Sequence, residues 1–128
     1  MLIIIQQLIN FIANLNVFSV VSVYRNEFAE GTDWHPVFPC CFIRMESLDS
    51  VVTAADAQSL GEIATLIIYV GARYDPTADT VSGLELAENL FNSLADFNYY
   101  GNVITQNNIK FVESKYGTDI YSIQITVK

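Results

Sequence analysis

Positive charge is scarce in this sequence. Its 128 residues include six lysines and arginines against fourteen aspartates and glutamates, which gives a formal net charge of −8. A nucleic-acid-binding domain needs a concentration of cations to neutralise phosphates, and adsorption to an anionic membrane surface needs the same. The composition therefore disfavours both classes. Because 52% of the residues are hydrophobic and only 16% are charged, we predict one folded domain over residues 1–128 with a substantial core.

Cysteine is equally scarce, since the chain has only Cys40 and Cys41. Adjacent residues of an extended segment point to opposite faces, so a disulfide between these two is unfavourable. A disulfide-stabilised scaffold is thus excluded. We interpret both residues as reduced, small apolar side chains.

Long apolar runs are missing as well. Residues 1–13 are mostly apolar, but Gln6, Gln7 and Asn10 interrupt them, whereas a bilayer-spanning helix needs about 20 apolar residues. The segment also has no cationic start and no clear small-residue cleavage site, the features of a signal peptide. We therefore expect an intracellular protein without a membrane anchor.

Patterns typical of catalysis and metal binding are weak. A catalytic interpretation would make His35, the one histidine, the base for a thiol nucleophile, Cys40 or Cys41. The sequence indicates no third residue that would orient the histidine. A surface or interface histidine is favoured instead. Asp33 lies near these residues in sequence, and Asp75 and Asp79 flank a turn at Pro76, but neither group has the pattern of an established metal site.

The remaining polar and aromatic pairs also favour structural roles. Glu85 and Glu88 are predicted to lie on the solvated face of a helix rather than to act as an acid and base. Tyr99 and Tyr100 are expected to seal the end of that helix against the sheet. The six glycines are scattered singly, so there is no phosphate-binding loop. We predict a protein that is not an enzyme and holds no cofactor or metal.

Hydrophobic periodicity predicts two helices. Ile5, Leu8, Ile9 and Ile12 share one helical face, and Phe11 widens the apolar surface beyond what a small sheet covers. Such a helix is buried from two directions, and a subunit contact is one explanation; a well-covered core helix is the other. The sequence SGLE at residues 82–85 matches a capping box and precedes a second apolar stripe. That stripe consists of Leu84, Ala87, Leu90, Phe91, Leu94 and Phe97.

Runs of β-branched and aromatic residues predict the strands. We expect strands at residues 16–24, 37–46 and 62–74, the last one central because it is apolar on both faces, and a closing hairpin with one solvated face over residues 109–127. The acidic segment 47–60 is predicted to be a loop. The expected fold is α+β: a mostly antiparallel sheet of about four to six strands with two helices packed on it, in the order α-β-β-(β)-α-β-β.

This layout resembles the phage tail terminator and tail-completion family. The resemblance is carried by the leading helix, the strands at 16–24 and 37–46, the central strand EIATLIIYVGARYD, the helix SGLELAENLFNSLADF and the hairpin NIKFVESKYGTDIYSIQITV. It is closest over residues 63–127, and segment 47–60 has no clear counterpart.

The resemblance implies a structural virion protein without an active site. It would form a homo-hexameric ring at the head-proximal end of the tail, stop growth of the tail tube and offer a surface to the head connector. Partners would be further copies of itself, the tail tube protein and the head-completion protein, while DNA passes through unbound. An alternative is a dimeric α+β ligand-binding or regulatory module of a bacterial cell. The candidate subunit-interface residues are Ile5, Ile9, Phe11, Ile12, Phe28 and Trp34; the alternative for Trp34 is that it folds back on its own subunit.

Overall fold

Two helices and five strands are formed by the residues that the computed structural model describes, which are 2–29, 37–52, 60–73, 82–98, 104–115 and 117–128. The helices are α1 (Leu2–Ala13) and α2 (Ser82–Ser93), and a short 3₁₀ turn, Leu94–Asp96, continues α2. The strands are β1 (Val20–Val23), β2 (Cys40–Val52), β3 (Leu60–Arg73), β4 (Ile104–Lys115) and β5 (Thr118–Val127). The predicted α+β class is confirmed.

The five strands form one sheet in the order β1-β2-β3-β5-β4. Only β1 and β2 run parallel, and the other three neighbouring pairs are antiparallel. The predicted central position of β3 is therefore confirmed. The closing hairpin joins the sheet through its second strand, β5, which leaves β4 at one edge and the four-residue β1 at the other.

Helix α1 ends at a tight turn. The backbone N–H of Asn16 donates to the carbonyl of Ala13 (3.1 Å), and Asn16 has a φ of 57°. Asparagine tolerates this left-handed conformation better than most residues, so the chain reverses here. The strand expected over residues 16–24 is consequently shorter, Val20–Val23. Each helix has 12 residues, and in the described part of the chain no helix has the length and apolar character to cross a membrane.

The larger core lies between the two helices and one face of the sheet. Helix α1 contributes the fully buried Ile4, Leu8 and Ile12. The predicted apolar stripe of α2 also faces this core, with Ala87, Leu90, Leu94 and Phe97 buried and Leu84 and Phe91 packed at its margin. The sheet supplies alternate residues of its strands: Cys41, Ile43, Ala64, Leu66, Ile68, Val70, Tyr121, Ile123, Ile125 and Val127.

A second, smaller cluster lies on the opposite face of the sheet. It contains Phe28, Cys40, Phe42 and Ile120. Both cysteines are free and buried, and Cys41 belongs to the larger core. The two side chains thus lie on opposite faces of β2, as the sequence predicted.

Strands β2 and β3 extend into the segment that was predicted to be a loop, of which residues 53–59 lie outside the described residues. Strand β2 continues to Val52 and β3 begins at Leu60, so the expected loop at 47–60 is wrong for both of its ends. Strand β5 pairs with β3 only from Ala64 onward, which leaves Leu60–Ile63 hydrogen bonded to β2 alone. A two-stranded ribbon outside the sheet has no core to cover, so its sequence needs no apolar alternation.

Candidate functional site

The sheet face turned away from the helices contains a groove of about 360 Å³. We call it the polar sheet face. It is lined by Arg44, Glu46, Ile67, Tyr69, Asn108, Lys110, Phe111, Val112, Ser122 and Gln124. These residues come from β2, β3, β4 and β5, so the groove crosses the sheet from the inner strand β2 to the edge strand β4.

The strand register places one cation on each side of this groove. Two rungs cross it, Arg44–Ile67–Gln124–Asn108 and Phe42–Tyr69–Ser122–Lys110. Arg44 and Lys110 are therefore separated by three strand spacings and by two residues along the strands. With the standard sheet dimensions, their Cα atoms lie about 16 Å apart.

The charges of the polar sheet face differ from those of the chain as a whole. Arg44 and Lys110 are both exposed, and Glu46 is the one acidic residue lining the groove. The guanidinium carbon of Arg44 lies 5.6 Å from the centroid of the Tyr69 ring, a cation–π distance that restrains the arginine side chain over β3. In a chain of net charge −8, the residues that line this groove carry two positive charges and one negative charge.

The helix side of the molecule has the opposite character. Glu85, Glu88 and Asp96 are exposed there, and residues 82–98 contain no lysine or arginine. The expectation that Glu85 and Glu88 lie on the outer face of a helix is confirmed. The exposed stripe between these acids carries Asn89 and Asn92. The sheet therefore separates an acidic surface from a surface that presents cations.

The floor of the groove is held by side-chain hydrogen bonds. The amide of Asn108 donates from Nδ2 to Oε1 of Gln124 across the strand pair (3.1 Å). Nearby, Nδ2 of Asn107, which lies at the β-bulge of β4, donates to Oγ1 of Thr126 (2.8 Å). These cross-strand pairs order the polar groups of β4 and β5 before any partner arrives.

Aromatic rings close one end of the groove. Tyr69 lies 4.8 Å from Tyr24 and 5.7 Å from Phe28, and Phe28 lies 5.6 Å from Phe42, between ring centroids. Burial raises the pKa of the Tyr24 hydroxyl, and the neighbouring Tyr69 acts in the same direction. Phe28 is only 7% exposed. This interface candidate therefore packs within its own chain, where it covers β2 and β3.

The other interface candidates are divided between core and surface. Ile12 is fully buried, because its position on the helix points it at the sheet, so it has no surface to offer a neighbour. Ile5, Ile9 and Phe11 are half-buried at the margin of the larger core, and the Phe11 ring lies 5.4 Å from that of Phe97. Their role in a subunit contact stays a prediction. Trp34 lies outside the described residues.

The two thiols have the environment of core residues. Burial raises the pKa of Cys40 to about 11. Its Sγ donates a hydrogen bond to the carbonyl of Gly71 (3.7 Å). Burial raises the pKa of Cys41 still further. The thiolate is the reactive species, and both groups are protonated near neutral pH. His35, the proposed partner base, lies outside the described residues.

The remaining sequence candidates for chemistry are only partly described. Asp33, Asp75, Asp79, Tyr99 and Tyr100 fall outside the described residues. Within the described ranges, no group of three histidine, cysteine, aspartate or glutamate side chains is placed to hold a metal ion.

No protein-family model matches this chain, and no curated protein sequence matches it. Its function is therefore inferred from the fold and from the chemistry of its surfaces. The polar sheet face was not predicted from the sequence. Arg44 and Lys110 each carried a signal, a charge between two apolar neighbours, but only the sheet order brings the distant strands β2 and β4 into one groove.

Proposed function

We propose that this chain is a structural virion protein that forms a ring at the head-proximal end of a bacteriophage tail tube. As a tail terminator or tail-completion protein, it would stop tube growth and join the tail to the head connector. The proposal rests on the resemblance of the element order to that family. The observed order is α-β-β-β-α-β-β, with both helices on one side of the sheet, and this α+β architecture supports the proposal.

One observation carries the proposal furthest: the subunit has two chemically different surfaces on opposite sides of one sheet. A ring is built from heterologous contacts, in which one patch of a subunit binds a different patch of the next. The polar sheet face with Arg44 and Lys110 and the acidic outer face of α2 supply such a pair of patches.

The charge of the chain also suits a channel for DNA. A ring through which DNA travels must not hold it, and a net charge of −8 per subunit repels phosphates. DNA is accordingly proposed to pass through the ring without a binding site.

The test is the solution mass of the purified protein over a range of concentrations, measured by light scattering behind a sizing column. A mass of about six subunits, with rings visible by negative-stain electron microscopy, supports the proposal. A monomer at every concentration argues against it. The single tryptophan, Trp34, gives an independent signal: if it lies in the contact, its fluorescence shifts to the red when the assembly is diluted, and Trp34→Phe removes that signal.

The second candidate is the dimeric ligand-binding or regulatory module. The groove favours this function because its volume, about 360 Å³, lies within the range of small-molecule pockets, which starts at about 300 Å³. A stable dimer whose melting temperature rises with a metabolite would replace the ring with this function.

A further inference from the structure

We propose that the polar sheet face of one subunit binds the acidic outer face of helix α2 of the next subunit. This inference rests on the proposed function, because it names the two surfaces that meet in the ring. The occupant of the groove is thus a second copy of this chain.

Charge complementarity is the first reason. The groove presents Arg44 and Lys110, whereas the outer face of α2 presents Glu85, Glu88 and Asp96. Glu85 and Glu88 repel each other at i, i+3, and Asp96 lies at the negative end of the helix dipole. These acids have no lysine or arginine on their own helix to offset them. Cations from a neighbouring subunit would relieve that repulsion.

The spacing of the charged residues is the second reason. The Cα atoms of Arg44 and Lys110 are about 16 Å apart across the groove. Along α2 and its 3₁₀ continuation, Asp96 lies about 13 Å from Glu88 and about 18 Å from Glu85, from the standard rises per residue. A helix laid across the strands would therefore place one acidic end over each cation.

The uncharged groups between the charges match as well. The helix stripe carries Asn89 and Asn92 between its acidic ends. The floor of the groove between the two cations carries the hydrogen-bonded pair of Asn108 and Gln124. Amide groups act as both donors and acceptors, so these four side chains can bond across the contact.

The geometry of the subunit requires that the contact be made between copies. Helix α2 packs on one side of the sheet and the groove lies on the other, so one molecule cannot satisfy both surfaces itself. A reciprocal dimer cannot use both, because the two surfaces face opposite directions. Each copy must engage two neighbours, and such a head-to-tail contact closes into a ring when the rotation between copies allows it.

The experiment reverses the charges on one surface at a time. Arg44→Glu with Lys110→Glu makes the groove acidic, and Glu85→Lys with Glu88→Lys makes the helix basic. Because like charges then meet in the contact, each variant alone should raise the concentration at which the ring dissociates by at least about tenfold. An equimolar mixture should restore the wild-type mass, since in an alternating ring every contact again joins opposite charges. All substituted side chains are exposed, so circular dichroism should remain unchanged.

The single changes Lys110→Glu and Lys128→Glu form the matched control. Both alter the net charge equally, but Lys128 is not among the residues that line the groove, so only Lys110→Glu should weaken the ring. If wild type is a ring and neither reversal changes its mass, this contact is wrong and the ring proposal stands. Dissociation that the mixture does not repair also overturns the pairing. A monomeric or dimeric wild type overturns both proposals.

Discussion

The close approach of Gly71 to Cys40 provides a quantitative test of packing in the smaller cluster. The two residues are direct partners on β3 and β2. A Cβ added at Gly71 would lie 2.6 Å from Sγ of Cys40 and 3.2 Å from Cγ2 of Thr118. The first distance is far below a normal contact, and Cys40 is 1% exposed, so its sulfur has no free space to enter. Gly71→Ala should therefore lower the free energy of unfolding by about 1–3 kcal/mol through overpacking.

The clash predicts a specific coupling. Cys40→Ala alone should cost about 1 kcal/mol, because it removes one buried atom of apolar character. In the double variant the methyl of Ala at position 71 occupies the space that the sulfur leaves. The combined loss should then be smaller than the sum of the two single losses by at least about 1 kcal/mol.

Urea unfolding followed by circular dichroism measures these free energies. All variants must be compared at one subunit concentration and with reductant present, because association adds to apparent stability. Cys41→Ala is the control: it makes the same deletion on the opposite face of β2, so its effect should add to that of Gly71→Ala within about 0.5 kcal/mol. Additive losses for Cys40→Ala and Gly71→Ala, or a neutral Gly71→Ala, would refute the proposed contact.

Three further predictions concern the hairpin turn, the thiols and the larger core. Gly117 has a φ of 69° with nothing near its missing Cβ, so Gly117→Ala should cost about 1 kcal/mol in urea unfolding through backbone strain alone, and Gly117→Asn less. Because the folded state holds the protons of Cys40 and Cys41 more tightly than the unfolded state, stability should fall as pH rises from 9.0 through about 11, and Cys40→Ala should reduce that slope while the contribution of Cys41 remains. Ile123 is fully buried and Phe111 is 58% exposed, so Ile123→Ala should lower the free energy of unfolding by about 2–5 kcal/mol and Phe111→Ala by much less. Equal losses would contradict the assignment of Ile123 to the core.

The elements that pack on a core were predictable from sequence. Helix α2 is readable because its apolar positions recur every three or four residues and all face the sheet. Strand β3 is readable because one face lies in the larger core and the other carries Ile67 and Tyr69, which are buried and half-buried, so apolar residues occur at successive positions. In both cases burial leaves a local periodic pattern.

The elements that do not pack on a core were missed. The ends of β2 and β3 form a ribbon beyond β5, so burial imposes no pattern on segment 47–60. The polar sheet face was missed for a different reason. Its two cations are brought together only because β5 inserts between β3 and β4, a pairing between distant segments that local periodicity does not record.

Strand β3 has two parts whose backbone hydrogen bonds should open at different rates. Residues 64–71 of β3 are paired with β2 on one side and β5 on the other, so their amide protons should exchange with solvent only when the whole sheet unfolds. The amides of Leu60–Ile63 have a ladder on one side alone and should exchange through local opening that leaves both cores intact. Opening of this end of β3 therefore leaves the pairing of β3 with β5 unchanged.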